Sequence, residues 1–182
     1  MVVSSDVSQI IEFINNAPYD CIAKPLFGSR GENVIRVSKL TDDLEAKLES
    51  TFGSTTFVVQ HFVEADHAGD KRVIIVGGEI LQIDEHIAGI ERHPASDDFR
   101  ANLHAGGSAH QLALSEEAIA ATQHAAKLLY EHGIWLAGVD LIGDKIIEFN
   151  VFSTGGLYDS IKFSGCPIDE IIIEKLMNNF DV

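Results

Sequence analysis

Three oxygen-bearing side chains, Asp140, Glu148 and Asn150, lie between apolar neighbours near the end of the chain. Gly143-Asp144 separates the two apolar runs that carry them, a pattern that predicts a β-hairpin over 134–151. A buried carboxylate is unfavourable unless a cation or hydrogen bonds compensate its charge. Oxygen ligands suit Mg²⁺ or Mn²⁺ bound beside phosphate groups. The three residues are therefore candidate metal ligands, and the alternative is a hairpin with its polar side chains in solvent.

The three side chains can bind the same cation only if all of them lie on one face of the sheet. Residues i and i+2 of a strand point to the same face, so the side chains of Glu148 and Asn150 share a face. A regular hairpin with a two-residue turn would send Asp140 to the opposite face. We therefore expect an odd-length loop, such as 142–144, or a β-bulge in one strand.

A lysine and a glycine-rich loop near the N-terminus form a second candidate site. Lys24 ends a predicted strand over 21–24, and Gly28-Ser29-Arg30-Gly31 follows it closely. Glycines allow backbone N–H groups to approach phosphate oxygens. The loop lacks the GxxxxGK[ST] pattern of a Walker loop. It is a candidate phosphate-binding loop, with an ordinary hairpin turn as the alternative.

A third group of candidates consists of residues that bind anions or carboxylates. A guanidinium group binds a carboxylate or a phosphate through two parallel hydrogen bonds. For each single arginine, a surface position without function is the alternative. The group comprises Arg72, Arg92, Arg100 and Asn102.

Composition limits the classes of partner. The 182-residue chain has a net charge of −15, which disfavours duplex nucleic acid and anionic membrane surfaces. Nine of its thirteen lysines and arginines fall within 24–100, where a small polyanion could bind. No apolar run reaches the roughly 18 residues of a membrane helix. Cys21 and Cys166 form no CxxC pair, so we expect reduced thiols in the cytoplasm.

Alternating and helical periods predict an α+β architecture with mainly antiparallel sheets. Residues 88–113 show no clear period. The helices are predicted near 6–16 with Ser5 as N-cap, from Thr41 to about Thr51, over 116–132 with Ser115 as N-cap, and from Pro167 onward. The other strands are predicted over 33–37, over 56–62 and, as a pair joined at Gly77-Gly78, over 71–87.

Taken in order, four motifs resemble the ATP-grasp domain of bacterial glutathione synthetase. They are KPLxGxxG from Lys24, GDKR from Gly69, R-x7-R-x-N-L-x-A-GG from Arg92, and GVD-x7-E-x-N from Gly138. The resemblance covers about residues 18–157. The glycine loop also resembles that of glutamate-adding ligases, a neighbouring ATP-grasp branch.

The resemblance implies an ATP-grasp fold with two α+β lobes and an ATP cleft between them. Residues 1–63 would form an incomplete small lobe with the lid, and 64–182 the large lobe with the metal site. The implied activity is that of an ATP-dependent carboxylate–amine ligase, in which an amine attacks an acyl phosphate. The implied cofactors are ATP and Mg²⁺, with Mn²⁺ as the alternative metal.

The resemblance also implies a role for each candidate residue. Lys24 would contact the ATP phosphates under a lid formed by Gly28, Ser29, Arg30 and Gly31. The hinge strand Gln60, His61, Phe62 and Val63 would bind adenine through its backbone, and Asp70 would lie near the ribose or the substrate. Mg²⁺ would be held by Asp140, Glu148 and Asn150. The transferring phosphoryl group and the acyl phosphate would be stabilised by Arg72, Arg92, Arg100 and Asn102.

The sequence departs from the family pattern in three places. The family has an N-terminal substrate domain, which residues 1–17 cannot replace, so we expect it to be absent. Ser108-Ala109-His110 and the loop 152–156 also differ from the usual family sequence. We expect a peptide or amino-acid carboxylate as substrate, with a separate substrate domain or a homo-oligomer completing the site. The alternative is an ATP-binding module without turnover of its own.

Overall fold

The computed structural model describes residues 1–27, 32–38, 46, 50, 55–64, 69–95, 106–152 and 154–179. The chain divides into two compact units, Met1–Glu64 and Ala65–Val182. Each unit has its own apolar core. Most of the helix predicted from Thr41 lies outside the described residues. In the described part, no helix is long and apolar enough to cross a membrane.

The first unit is a four-stranded antiparallel sheet with a helix packed against it. Its described elements are β1 (Val2–Ser4), α1 (Val7–Asn16), β2 (Cys21–Pro25), β3 (Ile35–Val37) and β4 (Phe57–His61), with strand order β1-β4-β2-β3. Asp6, not the predicted Ser5, caps α1, because its carboxylate accepts a hydrogen bond from the Ser8 N–H at 2.8 Å.

The two faces of this first sheet differ in burial. One face carries fully buried apolar residues that pack on Ile10 and Ile14 of α1; they are Cys21, Ala23, Phe57 and Val59. The alternating residues of the same strands lie on the other face and are half-buried; they are Ile22, Lys24, Val58 and Gln60. Arg36 of β3 is directly opposite Ile22 and lies on this face too. Among the described residues, the face opposite α1 therefore combines apolar surface with two cations and one amide.

The second unit is built around a six-stranded antiparallel sheet. Its order is β10-β9-β5-β11-β12, with β6 paired to one end of β5, and β7 and β8 form a separate two-stranded sheet. The strands are β5 (Asp70–Val76), β6 (Glu79–Ile80), β7 (Gln82–Ile83), β8 (His86–Ile87), β9 (Gly89–His93), β10 (Ser108–Gln111), β11 (Leu136–Ile142) and β12 (Lys145–Asn150). The described helices are α2 (Glu116–Glu131), α3 (Leu157–Ser164) and α4 (Ile168–Asn179).

The central strand β5 shows how the second sheet is covered. Val73 and Ile75 are fully buried on the face that packs against α2. Ile74 and Val76 point to the opposite face, where they pack with Ile168 and other residues of α3 and α4. This opposite face is apolar only along part of its length. Its remaining part carries the charged residues described below.

Most of the predicted elements are present, but no pattern predicted strands β1, β9 and β10 or helix α3, and the strand predicted after Gly77-Gly78 is three short strands, β6, β7 and β8. The helix over 116–132 is confirmed as α2, and the Ser115 hydroxyl accepts the Ala118 N–H at 3.1 Å. Strands β9 and β10 lie in the region 88–113, where no period indicated them, because charged and small residues occupy positions on both faces of these strands. Helix α3 follows two glycines that indicated only a loop.

Candidate functional site

The β11–β12 hairpin contains the bulge that a shared face requires. Its turn has two residues, with Ile142 paired to Lys145 and a φ of +60° at Gly143. The odd-length loop 142–144 is therefore wrong. The register shifts just before the turn region, and Ile147 is the extra residue of a β-bulge.

The bulge brings the three predicted ligands to one face of the sheet. Beyond Ile147, Asp140 pairs with Glu148, and Gly138 pairs with Asn150. Directly opposed residues of antiparallel strands project to the same face, so the Asp140, Glu148 and Asn150 side chains are neighbours. Without the bulge, Glu148 would project toward the α2 side of the sheet.

Asp140 lies at the centre of a network of ion pairs. Its side chain is 4% exposed. Arg72 donates from Nε to Oδ1 and from Nη2 to Oδ2, both at 2.7 Å, and Arg92 donates from Nη2 to Oδ2 at 2.8 Å. The hydrogen bonds of the two arginines therefore compensate the negative charge of this buried carboxylate.

Arg92 is shared between two carboxylates. It donates from Nε to Asp70 Oδ1 at 2.6 Å and from Nη2 to Asp70 Oδ2 at 2.8 Å, in addition to its bond to Asp140. The four residues form a row of alternating charge, Asp70–Arg92–Asp140–Arg72, across β9, β5 and β11. Its formal charge is zero, as buried ionised groups require.

The pairing of the strands determines this row. Asp140 is opposite Arg72, and Arg92 is opposite Asp70, so that each acid directly faces a base on the neighbouring strand. Asp70 and Arg72 are i and i+2 on β5 and share a face. Opposite charges in facing positions of a sheet are favourable, more so when water is excluded.

The network sets the charge of its members. Burial alone would raise the pKa of Asp140, but the hydrogen bonds of Arg72 and the charge of Arg92 outweigh it and lower the pKa. Burial likewise would lower the pKa of Arg92, but the charges of Asp140 and Asp70 raise it. Burial raises the pKa of Asp70, and Arg92 offsets this only in part. Asp140 and Arg92 are therefore ionised at neutral pH.

Glu148 and Asn150 extend the row toward the edge strand β12. Glu148 is exposed, and Asn150 is half-buried. Among the residues that the structure describes, the buried Asn150 Nδ2 atom has no hydrogen-bond partner. An orphaned amide of this kind is rare in folded proteins and marks a position where a missing group belongs. Rotation of the amide by 180° would present Oδ1, an acceptor of the type that a hard cation needs.

The residues present fit a divalent metal with oxygen ligands. A carboxylate has about four acceptor positions, and the three arginine bonds leave Asp140 one of them, on Oδ1. Glu148 supplies a second carboxylate and Asn150 the amide. Within the described ranges, no group of three or more His, Cys, Asp or Glu side chains could hold a metal ion. The set proposed here contains only two carboxylates and is consistent with that finding.

Both arginines keep donors for a further anion. Arg72 uses two of its five N–H groups on Asp140, and Arg92 uses three on its two carboxylates. Within the described residues, the Nη1 groups of both make no hydrogen bond. Gly155 lies beside Arg72 Nη1, since a Cβ there would approach it to 3.2 Å. The loop after β12 therefore packs directly on the arginine.

In the first unit, Lys24 and Gln60 lie on the face of the sheet opposite α1. His61 is on the other face, exposed, with its ring 4.2 Å from that of Tyr19. The Phe62 N–H donates to the Asp20 carbonyl oxygen at 2.8 Å. This amide is already bonded, so it is a poor candidate for binding adenine.

The segment at the end of the first unit is anchored by an ion-pair cluster. The Arg36 guanidinium lies 4.1 Å above the Phe62 ring and donates to Asp20 and Glu64. The Arg36 and Ser38 hydrogen bonds lower the pKa of Asp20. The segment ends at Glu64, the last residue of the first unit.

Several predicted site residues cannot be placed. They are Gly28, Ser29, Arg30, Gly31, Arg100 and Asn102, which lie outside the described residues. What the sequence did not indicate is the pairing of the candidate arginines with Asp70 and Asp140. The available signal was the pattern of opposite charges at i and i+2 in Asp70-Lys71-Arg72, which places an acid and a base on one face of a strand.

The fold is that of an ATP-grasp ligase. D-cycloserine synthetase DcsG has a similar structure, with a TM-score of 0.68 at 17% identity over 98% of this chain and 63% of that one. D-alanine–D-alanine ligase from Bacillus anthracis has a TM-score of 0.62 at 17% identity over 92% of this chain and 58% of that one. The predicted α+β, ATP-grasp fold with mainly antiparallel sheets is confirmed.

Sequence similarity identifies the family of ATP-grasp ligases to which the chain belongs. Residues 1–164 match the prokaryotic glutathione synthetase, ATP-grasp domain, and the chain belongs to that family. A curated glutathione synthetase from Prochlorococcus marinus subsp. pastoris is 32% identical over 178 residues, 97% of this chain and 56% of its own length. The chain thus spans about half the length of the curated relatives it matches.

Proposed function

We propose that this chain supplies the ATP and metal site of a carboxylate–amine ligase similar to glutathione synthetase. The observation that carries the proposal is the charged row Asp70–Arg92–Asp140–Arg72, with Glu148 and the orphaned Asn150 amide beside it. It joins oxygen ligands for a cation to arginine donors for an anion on one sheet face. A metal–nucleotide phosphate requires both.

In the second unit, Mg²⁺, or Mn²⁺ in its place, would be held by Asp140, Glu148 and Asn150. When bound, the metal would neutralise phosphate charge and orient the transferring group. The free Nη1 groups of Arg72 and Arg92 would donate to the phosphoryl oxygens. Arg100 and Asn102 would bind the acyl-phosphate end of the substrate. The unit corresponds to the large lobe of our assignment, residues 64–182.

In the first unit, residues 1–63 of our assignment, the face opposite α1 would bind the nucleotide. Ile22 and Val58 offer half-buried apolar surface for a base, and Lys24 on the same face offers a cation for phosphates. Gln60, His61, Phe62 and Val63 would border adenine, with the bonded Phe62 amide excluded as a donor. Gly28, Ser29, Arg30 and Gly31 would form the lid that excludes water.

The reaction proposed has two steps. A substrate carboxylate oxygen attacks the γ-phosphorus of ATP, and ADP leaves with the electron pair of the broken P–O bond. An amine then attacks the acyl carbonyl carbon, phosphate leaves with the C–O pair, and the amine loses a proton. Neither step needs a covalent enzyme nucleophile, so the side chains act by positioning and charge neutralisation.

The substrate that fits this scheme is a small peptide or amino-acid carboxylate in the cytoplasm. A separate substrate domain or a second copy of the chain would complete the site. The second candidate function is an ATP-binding module without turnover of its own.

Phosphate release distinguishes the ligase from the ATP-binding module. The purified chain is incubated with ATP, Mg²⁺, γ-glutamylcysteine and glycine, and phosphate release is measured. Release that depends on both peptide and glycine supports the ligase, and Mg-ATP binding by calorimetry without release supports the module. Absence of Mg-ATP binding contradicts both.

A further inference from the structure

Both carboxylate oxygens of Asp70 accept hydrogen bonds from the same residue, Arg92. Its Oδ1 accepts from Arg92 Nε at 2.6 Å, and its Oδ2 accepts from Arg92 Nη2 at 2.8 Å. This bidentate arrangement fixes the plane of the guanidinium as well as its position. The side chains are 16% exposed for Asp70 and 8% for Arg92. Solvent therefore competes little for these bonds.

The fold brings the two strands together at this point through Gly69. A Cβ on Gly69 would lie 1.9 Å from the Arg92 carbonyl oxygen, and the residue has a φ of +70°. Only glycine permits both the close approach and this backbone conformation. The next residue is Asp70, directly opposite Arg92. Gly69 thus permits the contact between Asp70 and Arg92 at the start of β5.

Arg92 is also held from the other side by Asp140, at 2.8 Å. Its Nε and both Nη2 protons are used, and within the described residues Nη1 makes no hydrogen bond and can meet another molecule. Arginine side chains lose rotamer entropy when they are fixed. Here the two carboxylates fix the guanidinium before any ligand arrives, which reduces that cost on binding.

We propose that Asp70 is a positioning residue that holds Arg92 against Asp140, so that Arg92 Nη1 is oriented toward the transferring phosphoryl group. The inference rests on the proposed function and replaces the role near the ribose or the substrate that the family resemblance implied for Asp70. A carboxylate whose two oxygens already accept from Arg92 binds a ribose hydroxyl only by giving up part of this pair.

The test compares Asp70→Asn with the parent and with Asp144→Asn, which removes the same charge from the exposed hairpin turn. We expect Asp70→Asn to lower kcat about 10- to 100-fold, as misplacement of a catalytic group does. The Kd for Mg-ADP, which lacks the transferring group, should stay within about twofold. Asp70→Glu should recover part of kcat, and Asp70→Asn combined with Arg92→Lys should be no slower than Arg92→Lys alone.

A second readout does not depend on turnover. The chain has five arginines, so the Nε–H signals in a ¹H–¹⁵N spectrum can be assigned by single Arg→Lys substitutions. We expect the Arg92 signal to exchange slowly with water in the parent and rapidly in Asp70→Asn. Asp144→Asn should resemble the parent in every measurement.

Two results would overturn the inference. One is an unchanged, protected Arg92 signal in Asp70→Asn. The other is a Kd for Mg-ADP raised about tenfold or more with kcat at the parent level, which would place Asp70 on the ribose. A parent that binds no Mg-ATP would overturn the proposed function instead, and the Arg92 signal would still decide whether Asp70 fixes the guanidinium.

Discussion

Asp140 is ionised although its side chain is almost completely buried, because Arg72 and Arg92 supply three hydrogen bonds to it. These hydrogen bonds explain the burial of this carboxylate without a metal ion, and they are one of the two alternatives that the sequence argument left open. The case for a metal depends instead on what lies beside Asp140. Glu148 is exposed on the same face, and the Asn150 amide has an unsatisfied nitrogen.

The stability of the second unit should depend on Asp140 in a pH-dependent way. We expect Asp140→Asn to lower the free energy of unfolding by about 3–5 kcal/mol at pH 7, because the buried Arg92 and the half-buried Arg72 lose their shared partner. The pKa of Asp140 is lowered in the folded state. Its contribution is therefore complete above the unfolded pKa and is lost as the pH falls through the folded value.

Urea unfolding followed by the fluorescence of Trp135, the single tryptophan, measures this effect. Parent and Asp140→Asn should differ most near neutral pH, and the difference should shrink as the pH falls below the unfolded carboxyl pKa of about 4. Asp144→Asn should stay within about 0.5 kcal/mol of the parent at neutral pH. A deficit for Asp140→Asn that is the same at pH 7 and pH 3 would contradict the assignment of Asp140 as ionised.

At the scale of elements, the hairpin could be foreseen and the sheet around it could not. The apolar flanks of Asp140 and Glu148 indicated two strands, and the requirement for a shared face indicated an odd-length loop or a bulge. Of these two alternatives, the bulge is present, at Ile147. These are local signals. The opposition of Arg72 to Asp140 depends on the order in which distant strands pair, and no local pattern contains that information.

Strand β9 and helix α3 show why other elements were missed. Arg92 is buried in β9 because it is neutralised by acids on a neighbouring strand and the strand beyond it, so the strand lacks the usual apolar alternation. Helix α3 begins after Gly156, whose φ of +94° places the chain near Ile90 of β9. In both cases tertiary contacts outweigh local propensity.

The approach of β5 to β9 can be tested with a matched pair of glycines. Gly69 and Gly133 both have positive φ, but a Cβ on Gly69 meets the Arg92 carbonyl, whereas one on Gly133 meets nothing within 4 Å. We expect Gly133→Ala to lower the free energy of unfolding by about 1–2 kcal/mol. Gly69→Ala should cost about 1–3 kcal/mol more, because the strands must separate. Equal losses in urea unfolding would show that the close approach is unimportant.

At the scale of the whole molecule, the candidate residues fall in two units with separate cores. Lys24 belongs to the first unit, and Asp140, Glu148 and Asn150 belong to the second. The net charge of −15 makes specific cations more important, because the protein as a whole repels polyanions.

Lys24→Met should therefore weaken Mg-ATP binding although Lys24 and the metal ligands lie in different units. We expect the Kd to rise about tenfold, corresponding to the loss of one charge-assisted contact. Lys127→Met, a neutralised cation on the exposed side of α2, should leave the Kd unchanged. Circular dichroism checks that each variant is folded. Equal affinities in the two variants would remove Lys24 from the nucleotide site.

The most direct measurement is calorimetric titration of the chain with ATP, with and without Mg²⁺, for the parent, Glu148→Gln and Asp144→Asn. Both substitutions remove one carboxylate from β12 or its turn, but only Glu148 shares the face of Asp140 and Asn150. The account predicts Mg²⁺-dependent ATP binding in the parent and in Asp144→Asn, and a Kd raised about tenfold or more in Glu148→Gln. The same affinity for Mg-ATP in all three proteins would contradict it.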